Sequence, residues 1–428
     1  MPITSSHNKV AYRQKSKHLF FRWSRWLLVL LILIAVFADF IANEKPIYCQ
    51  LDDQHYFPVL RSYAVDAGWA DWQPSLINAE WKKLPYQSSI FPPIPYSPTT
   101  QDESNWYVSP LAQQEVPSLR FRHFLGTHQV GRDVASGLIH GTRKALWIGL
   151  LAMGIATLIG VFLGIIAGYF GDNQLEISSF QLVINILIFP FAVFYAFIQY
   201  ADNPFDLSFE RQFLQNFSIF FGIYILINSV FLFFKNKSTN EPSLNSKKSA
   251  HRGIDRLLNK SIKLPCDLII MRLVEVMNAI PPLLLLLALV AVLEQSSLWH
   301  IAVLIGFMGW TGMTRFTRSE ILKIKQLPYV EAARALGYTE WRVVFRHVLP
   351  NALSPLLIVL AFGMAGTILL EASLSFLGFG SGVEEVTWGK LLAQAREKPD
   401  HWWLAFFPGV AIFLTVMIFN ILGDSRKS

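Results

Sequence analysis

Charge is scarce in this chain. Only 16% of its 428 residues are Asp, Glu, Lys or Arg, while 53% are hydrophobic. An ordinary soluble domain is about one quarter charged. The deficit points to residues that never meet water. Cysteine is scarcer still: Cys49 and Cys266 are the only two. They fall on opposite faces of the membrane in the topology that the charge distribution implies, which excludes a disulfide between them. Motifs that handle nucleotides or metals are lacking. No G-x-x-x-x-G-K-[ST] loop occurs, and Gly389-Lys390 lacks the spacing that lets backbone amides cradle a phosphate. Neither H-E-x-x-H nor G-x-S-x-G is present, and the ten histidines show no ligand spacing. The chain is therefore not expected to hydrolyse ATP, to carry a metal or cofactor, or to be an enzyme.

What it has instead is long apolar runs. Eight of them approach or exceed the roughly 18–20 residues that span a bilayer as a helix: 23–42, 146–169, 177–200, 214–235, 267–293, 298–314, 353–376 and 403–422. In lipid the backbone must satisfy its own hydrogen bonds, and the alternation of a barrel strand is absent, so helices are expected. The first run follows a basic stretch, but it is long and no A-x-A-like pair comes after it, so it reads as an uncleaved anchor.

The net charge of +7 is unevenly placed. Residues 1–25 hold Lys9, Arg13, Lys15, Lys17, Arg22 and Arg25 with no acid, and seven Lys or Arg lie between 315 and 346. Residues 236–264 are basic as well, whereas 43–142 holds seven basic against ten acidic residues. Basic loops stay on the cytoplasmic side. That puts both termini, 236–264 and 315–350 inside, and 43–142 outside; eight spans give the same parity. The basic surfaces suit anionic lipid rather than nucleic acid.

The organisation that follows is a basic tail (1–22), a first span (23–42), an outer segment (43–142), a second span (143–172), a two-span insertion with a basic linker (173–264), and a core (265–426) holding the loop 315–350. The Pro, Trp and Tyr of the outer segment, as in FPPIPYSPTT, suggest an extended cap with little regular structure. Pro281-Pro282 interrupts the fifth span, which either lines a cavity or is a kink absorbed by packing. Glu371 falls inside the seventh span, where a carboxylate is costly and faces either a pathway or a neighbouring helix.

The loop is the most informative stretch: PYVEAARALGYTEWRVVFRHVLP, residues 328–350. On a helix, Tyr329, Ala332, Ala333 and Leu336 share a face, and Glu331 can pair with Arg334. Gly337 suits the end of that helix and Thr339 the start of a second. In the second, Trp341, Val344, Phe345 and Val348 form the apolar stripe, and Pro350 turns the chain into the next span. Two readings are open: a helix lying flat on lipid, or one whose alanine face docks a partner.

The motifs EAARALG, FRHVLPNALSPLL, IPPLLLLLALVAVL, EASLSFLGFG, WGKLL and FPGVAIFLTVMIFNILGD resemble those of ABC importer permeases of the dipeptide, oligopeptide and nickel family, in its second-subunit branch. LGTHQVGRDVASGLIHGTRKAL resembles the branch's signature ahead of the second span. The match covers about 113–172 and 265–426, and ADFIANEKPIYCQ with HYFPVLRSYA is similar to the microcin C-type peptide permeases. The resemblance implies an all-α polytopic fold, a six-helix permease core to which this chain adds a two-helix hairpin. It implies that the loop is the coupling helix seated on a cytoplasmic ATPase, with Glu331, Ala332, Ala333, Gly337, Leu349 and Pro350 as docking residues. Pro281, Pro282 and Glu371 become candidates for the pathway or its gate. The implied partners are a related permease, two ATPases that hold ATP and Mg, an external solute-binding protein and a short peptide. The location implied is the bacterial inner membrane.

Two departures stand out. The family usually carries Asp where this chain has His128, and it joins GYFG directly to the helix near Asp267, without residues 173–264. Nickel chelates or a peptide-like antibiotic are the alternative cargo. A scaffold or receptor that does not transport is the alternative of another class.

Overall fold

A helix that crosses lipid needs length, an apolar surface and terminal groups that are satisfied, and the computed structural model of the chain shows how this sequence meets each need. It describes residues 23–51, 53–77, 79–116, 118–172, 176–178, 261–292, 297–380 and 385–425. The basic tail 1–22, the span expected over 214–235, and that over 177–200 beyond Ser178 lie outside the described residues. Most of the expected linker, 236–260, does too.

The first unit comprises residues up to 169 and from 271 onward. It opens with α1 (Trp23–Val36), whose Trp23, Trp26, Leu30 and Leu33 face outward. The cap that follows is more regular than its Pro-rich composition suggests. β1 (Tyr48–Leu51) pairs antiparallel with β2 (Gln54–Tyr56), Cys49 opposite Tyr56, and α2 (Pro58–Asp66) follows. β3 (Ser88–Ile90) pairs on the other edge of β1, giving the order β2-β1-β3. Strands of three or four residues are too short for a period-2 pattern to register. Cys49, Leu51, Leu76 and Trp81 form the buried core of the cap, with Trp72 packed on Trp81 at 5.8 Å.

α3 (Val134–Phe170) begins earlier than the apolar run that announced it. Asp133 caps it, its carboxylate accepting from the Ser136 amide at 2.7 Å. The last turn, Ile166–Phe170, widens to a π turn. Glycines recur every fourth residue at 160, 164 and 168, so they line one stripe. A Cβ at Gly160 would stand 2.5 Å from Met313 Cβ, and one at Gly164 2.5 Å from Thr317 Cβ. In lipid no hydrophobic drive brings helices together, and close backbone approach supplies the packing instead.

The facing helix is α6 (Leu298–Ile324). Before it come α4 (Cys266–Ala279) and α5 (Pro282–Val292), which meet at 78° at Pro281-Pro282. Pro282 has no amide hydrogen to continue α4, so the interruption is a break rather than a bend. The loop then forms α7 (Pro328–Ala335). α8 (Glu340–Phe376) follows and runs unbroken through Leu349-Pro350. The turn expected at Pro350 is absent: a π turn at Val344–Val348 takes up the missing donor, and the helix goes on past Pro355. α9 (Trp388–Glu397) and α10 (Trp403–Ser425) complete the unit. The Trp388 indole donates to the Leu138 carbonyl of α3 at 3.0 Å, so α9 lies against the start of α3.

α3, α8 and α10 are long and apolar enough to cross a membrane, and α4 with α5 counts as a fourth span if the bent pair is one. The chain is mostly helical, as expected.

The second unit, residues 170–270, is described in part. β4 (Glu176–Ser178) pairs antiparallel with β5 (Ser261–Lys263), Ile177 opposite Ile262. The end of the expected linker and the start of the expected third span are therefore strands. Asp172 accepts from the Leu268 amide at 3.1 Å. Cys266 and Cys49 are both free thiols.

Candidate functional site

The site is built on α7. Val330 and Ala333 are buried, Ala333 at 4% exposure, and hold the helix down. Glu331, Ala332, Leu336 and Gly337 are exposed on the other side. Of the four residues expected to share a face, Tyr329, Ala332 and Leu336 are exposed, Leu336 at 73%, and Ala333 is buried. The inward stripe is Val330 with Ala333, at i and i+3.

Gly337 has φ +78°, a conformation that costs most side chains energy and glycine little. Its amide donates to the Arg334 carbonyl at 2.9 Å, and the Tyr338 amide to the Ala333 carbonyl at 3.3 Å, which closes α7 as expected. Thr339 precedes α8 as expected, though its side chain makes no capping bond. Arg334 pairs not with Glu331 but with Glu340: its Nε donates to Glu340 Oε2 at 3.3 Å, across the turn. Glu331 is left to project from the exposed side of α7.

On α8, Val343, Val344 and Val348 are buried, while Trp341 and Phe345 are exposed and stacked at 5.8 Å. The expected stripe therefore divides. Trp341 and Phe345 lie one helical turn apart on the outer edge of the stripe, and the valines face the core. The outer face of the loop thus presents Glu331, Ala332, Leu336, Gly337, Trp341 and Phe345. Of these, Trp341 and Phe345 were not singled out as surface residues from the sequence. The signal was present: large apolar side chains in a loop already rich in charge. Leu349 is half-buried and Pro350 exposed, both within the helix.

The remaining candidates lie apart. Pro281 and Pro282 are exposed at the break. Just before it, Asn278 accepts from the Thr311 hydroxyl at 3.2 Å. Glu371 is 2% exposed. Its carboxylate accepts from Ser375 Oγ at 2.8 Å and bonds the Thr387 side chain at the start of α9. It faces a neighbouring helix, one of the two orientations expected.

A polar cluster in the cap went unnoticed in the sequence. His123 is fully buried, its ring nitrogens 2.8 Å from Asp133 and 3.2 Å from Asp102. Tyr96 stacks on that ring at 4.1 Å, and the Lys82 ammonium lies 3.3 Å from the Tyr96 ring centroid. Burial pushes Lys82 down to about 8, opposed by the charges of Asp102, Glu44 and Asp133. His128 is buried too. Desolvation and then the Arg132 charge lower it to about 4, so it is neutral at ordinary pH. It cannot supply the charge of the Asp it replaces.

Among the described residues no group of His, Cys, Asp or Glu is placed to hold a metal ion. Residues 259–425 match the family described as binding-protein-dependent transport system inner membrane component. The match and the relatives together support a permease subunit of a dipeptide/oligopeptide-type ABC importer. The chain is 25% identical over 423 residues to the peptidoglycan transport system permease protein YejE of Agrobacterium fabrum, covering 93% of this chain and 86% of the relative. With the YejE permease of Escherichia coli it is 24% identical over 93% of this chain and 89% of the relative. It is 38% identical to the glutathione transport system permease protein GsiD of Pectobacterium atrosepticum, over 38% of this chain and 54% of that protein. The likeness to GsiD is thus stronger but confined, whereas the likeness to the YejE permeases is weaker and spans nearly the whole permease. This permease is a multi-pass protein of the inner membrane, and its relatives are transport proteins rather than enzymes.

Proposed function

We propose that this permease forms half of a translocation pathway for short peptides and receives the work of ATP through α7. Glu331, Ala332 and Gly337 dock a cytoplasmic ATPase, while Ala333, buried beneath them, seats the helix, and Leu349 and Pro350 lie farther along α8. The observation that carries this reading is the exposed face of Glu331, Ala332, Leu336 and Gly337 on a helix pinned from below by Val330 and Ala333. A helix so held can be pushed as a body, and the small Ala332 and Gly337 admit a close partner surface. Two ATPases bind ATP and Mg; a related permease supplies the other half of the pathway, and an external binding protein delivers the peptide. Closure of the ATPase pair switches the cavity from outward- to inward-facing, which requires a packed element with two arrangements biased by nucleotide. Eight spans, with both termini and α7 inside, fit the charge distribution.

A second cargo is favoured by one specific observation. The relative that spans 93% of this chain at 25% identity is named for peptidoglycan transport. Peptide fragments of the cell wall are short peptides of that kind.

The test is a pull-down. The permease is expressed with its partner permease and ATPases, purified in detergent, and the bound ATPase is quantified for wild type, Glu331→Ala and Gly337→Asp. At least a fivefold fall in both variants, with the permease pair intact, is expected. Equal binding in all three would remove these residues as docking determinants. An absence of binding in wild type would favour the scaffold reading.

A further inference from the structure

Two polar links tie the end of α3 to the two flanks of α7. Ahead of α7, the Lys325 ammonium donates to the Gly168 carbonyl at 2.7 Å. Gly168 lies in the π turn that ends α3, where carbonyls need partners from outside the helix. Behind α7, the Tyr169 hydroxyl donates to Glu340 Oε2, the same oxygen that accepts from Arg334 Nε at 3.3 Å. The Arg334 guanidinium carbon stands 5.0 Å from the centroid of the Tyr169 ring. Tyr169 itself is 1% exposed, so its ring is fixed by the core while its hydroxyl reaches the loop.

We infer that Tyr169 is a positioning residue that passes displacement of α7 into the π turn of α3. The inference rests on the reading of α7 as the docking helix. Arg334 belongs to α7, Glu340 opens α8, and Tyr169 closes α3; one carboxylate oxygen joins all three. A push on α7 moves Arg334, and through the shared oxygen and the ring contact it loads the end of α3. A π turn is rare and recurs at functional sites, and its i to i+5 bond can exchange for an i to i+4 bond within one residue's shift. Ile166–Phe170 therefore supplies an element with two arrangements at the place where the loop pulls. The Lys325 link holds the other flank, so that α7 transmits a movement to α3 instead of swinging past it.

Hydrogen exchange on the assembled transporter tests this without knowledge of the cargo. The permease, its partner permease and the ATPases are reconstituted in nanodiscs, and exchange is measured with and without ATP plus vanadate. In wild type, nucleotide is expected to change exchange in both 328–335 and 162–170. Tyr169→Phe removes only the hydroxyl and keeps the ring. It is expected to leave the nucleotide-dependent change in 328–335 within twofold and to reduce that in 162–170 at least fivefold. Glu340→Ala removes the acceptor from the exposed side, where folding is not at stake. It should give the same result, with no further loss in the double variant. A merely structural contact would alter exchange in both nucleotide states alike and leave their difference intact. Persistence of the difference at 162–170 in both variants overturns the relay and leaves the docking reading standing. Absence of any nucleotide effect on 328–335 in wild type overturns both.

Discussion

Gly164 and Thr317 meet so closely that a methyl group on the glycine would stand 2.5 Å from Thr317 Cβ. No side chain occupies that distance without moving a helix. The contact is repeated one turn earlier, where Gly160 faces Met313, and it brings two backbones into van der Waals range along the bundle.

Gly164→Leu should therefore separate α3 from α6. Overpacking of this kind costs about 1–3 kcal/mol, and more where neither partner can yield. The expected outcome is a clear fall in the midpoint of thermal unfolding in detergent. Gly154, on the same helix, has open space where a methyl group would stand and is the control. Gly154→Ala should leave the midpoint unchanged or raise it slightly, because alanine is about 1 kcal/mol the better helix former.

Replacing His123 by alanine leaves Asp133 and Asp102 facing a buried space. The loss of a central donor from the buried Asp133 and the half-buried Asp102 is expected to cost about 3 kcal/mol. Asp133 also caps α3, so the damage should reach the start of that helix. Limited proteolysis of residues 43–133 measures this. Faster cleavage in the variant, with α10 still protected, is the expected pattern.

The His128 shift has a defined sign. Its folded value of about 4 lies below the ordinary value of 6.5. As pH falls below 6.5 the unfolded chain takes up a proton that the folded chain refuses, so stability is lost between about pH 6.5 and 4. The loss amounts to roughly 3 kcal/mol at the acid end. His128→Gln should remove this component. The wild-type unfolding midpoint should drop more steeply than the variant's over that window, and parallel curves would contradict the assignment.

Thr387→Val and Ser375→Ala each take one hydrogen bond from the buried Glu371. Leaving a buried polar atom short of a partner costs about 1–3 kcal/mol, more for a charged group. Glu371→Gln keeps the shape and should be milder. Thermal unfolding of the four variants orders them, with the double Thr387→Val, Ser375→Ala variant the least stable.

The helical class was legible because apolar runs of this length have few other uses, and the family was legible in EAARALG and its companions. Pro281-Pro282 announced a break that the backbone makes in full. Gly337 announced the end of α7, since that position requires positive φ. What went unread is instructive. Trp341, Val344, Phe345 and Val348 share a stripe at helical spacing, but pattern alone does not say which edge of it meets the core: the valines do, and Trp341 and Phe345 do not. Arg334 found Glu340 instead of Glu331 because the turn at Gly337 brings the next helix back over α7. The cap's strands are too short to show a period, and His123 meets Asp102 only through folding. Tyr169 stood in plain view at the end of an apolar run, but nothing local marks a tyrosine whose partner is 171 residues away.

That remoteness bears on biogenesis. The lysine that holds the end of α3 is made 157 residues after Gly168, and the tryptophan that packs on its start 250 residues after Leu138. At about 5–20 residues per second of synthesis, α3 leaves the ribosome on the order of ten seconds or more before α6 is complete. Throughout that interval its glycine stripe lies bare in the membrane, open to any small-residue helix that drifts past. Pairing of the stripe waits on α6, and faster elongation shortens its exposure to the wrong partner.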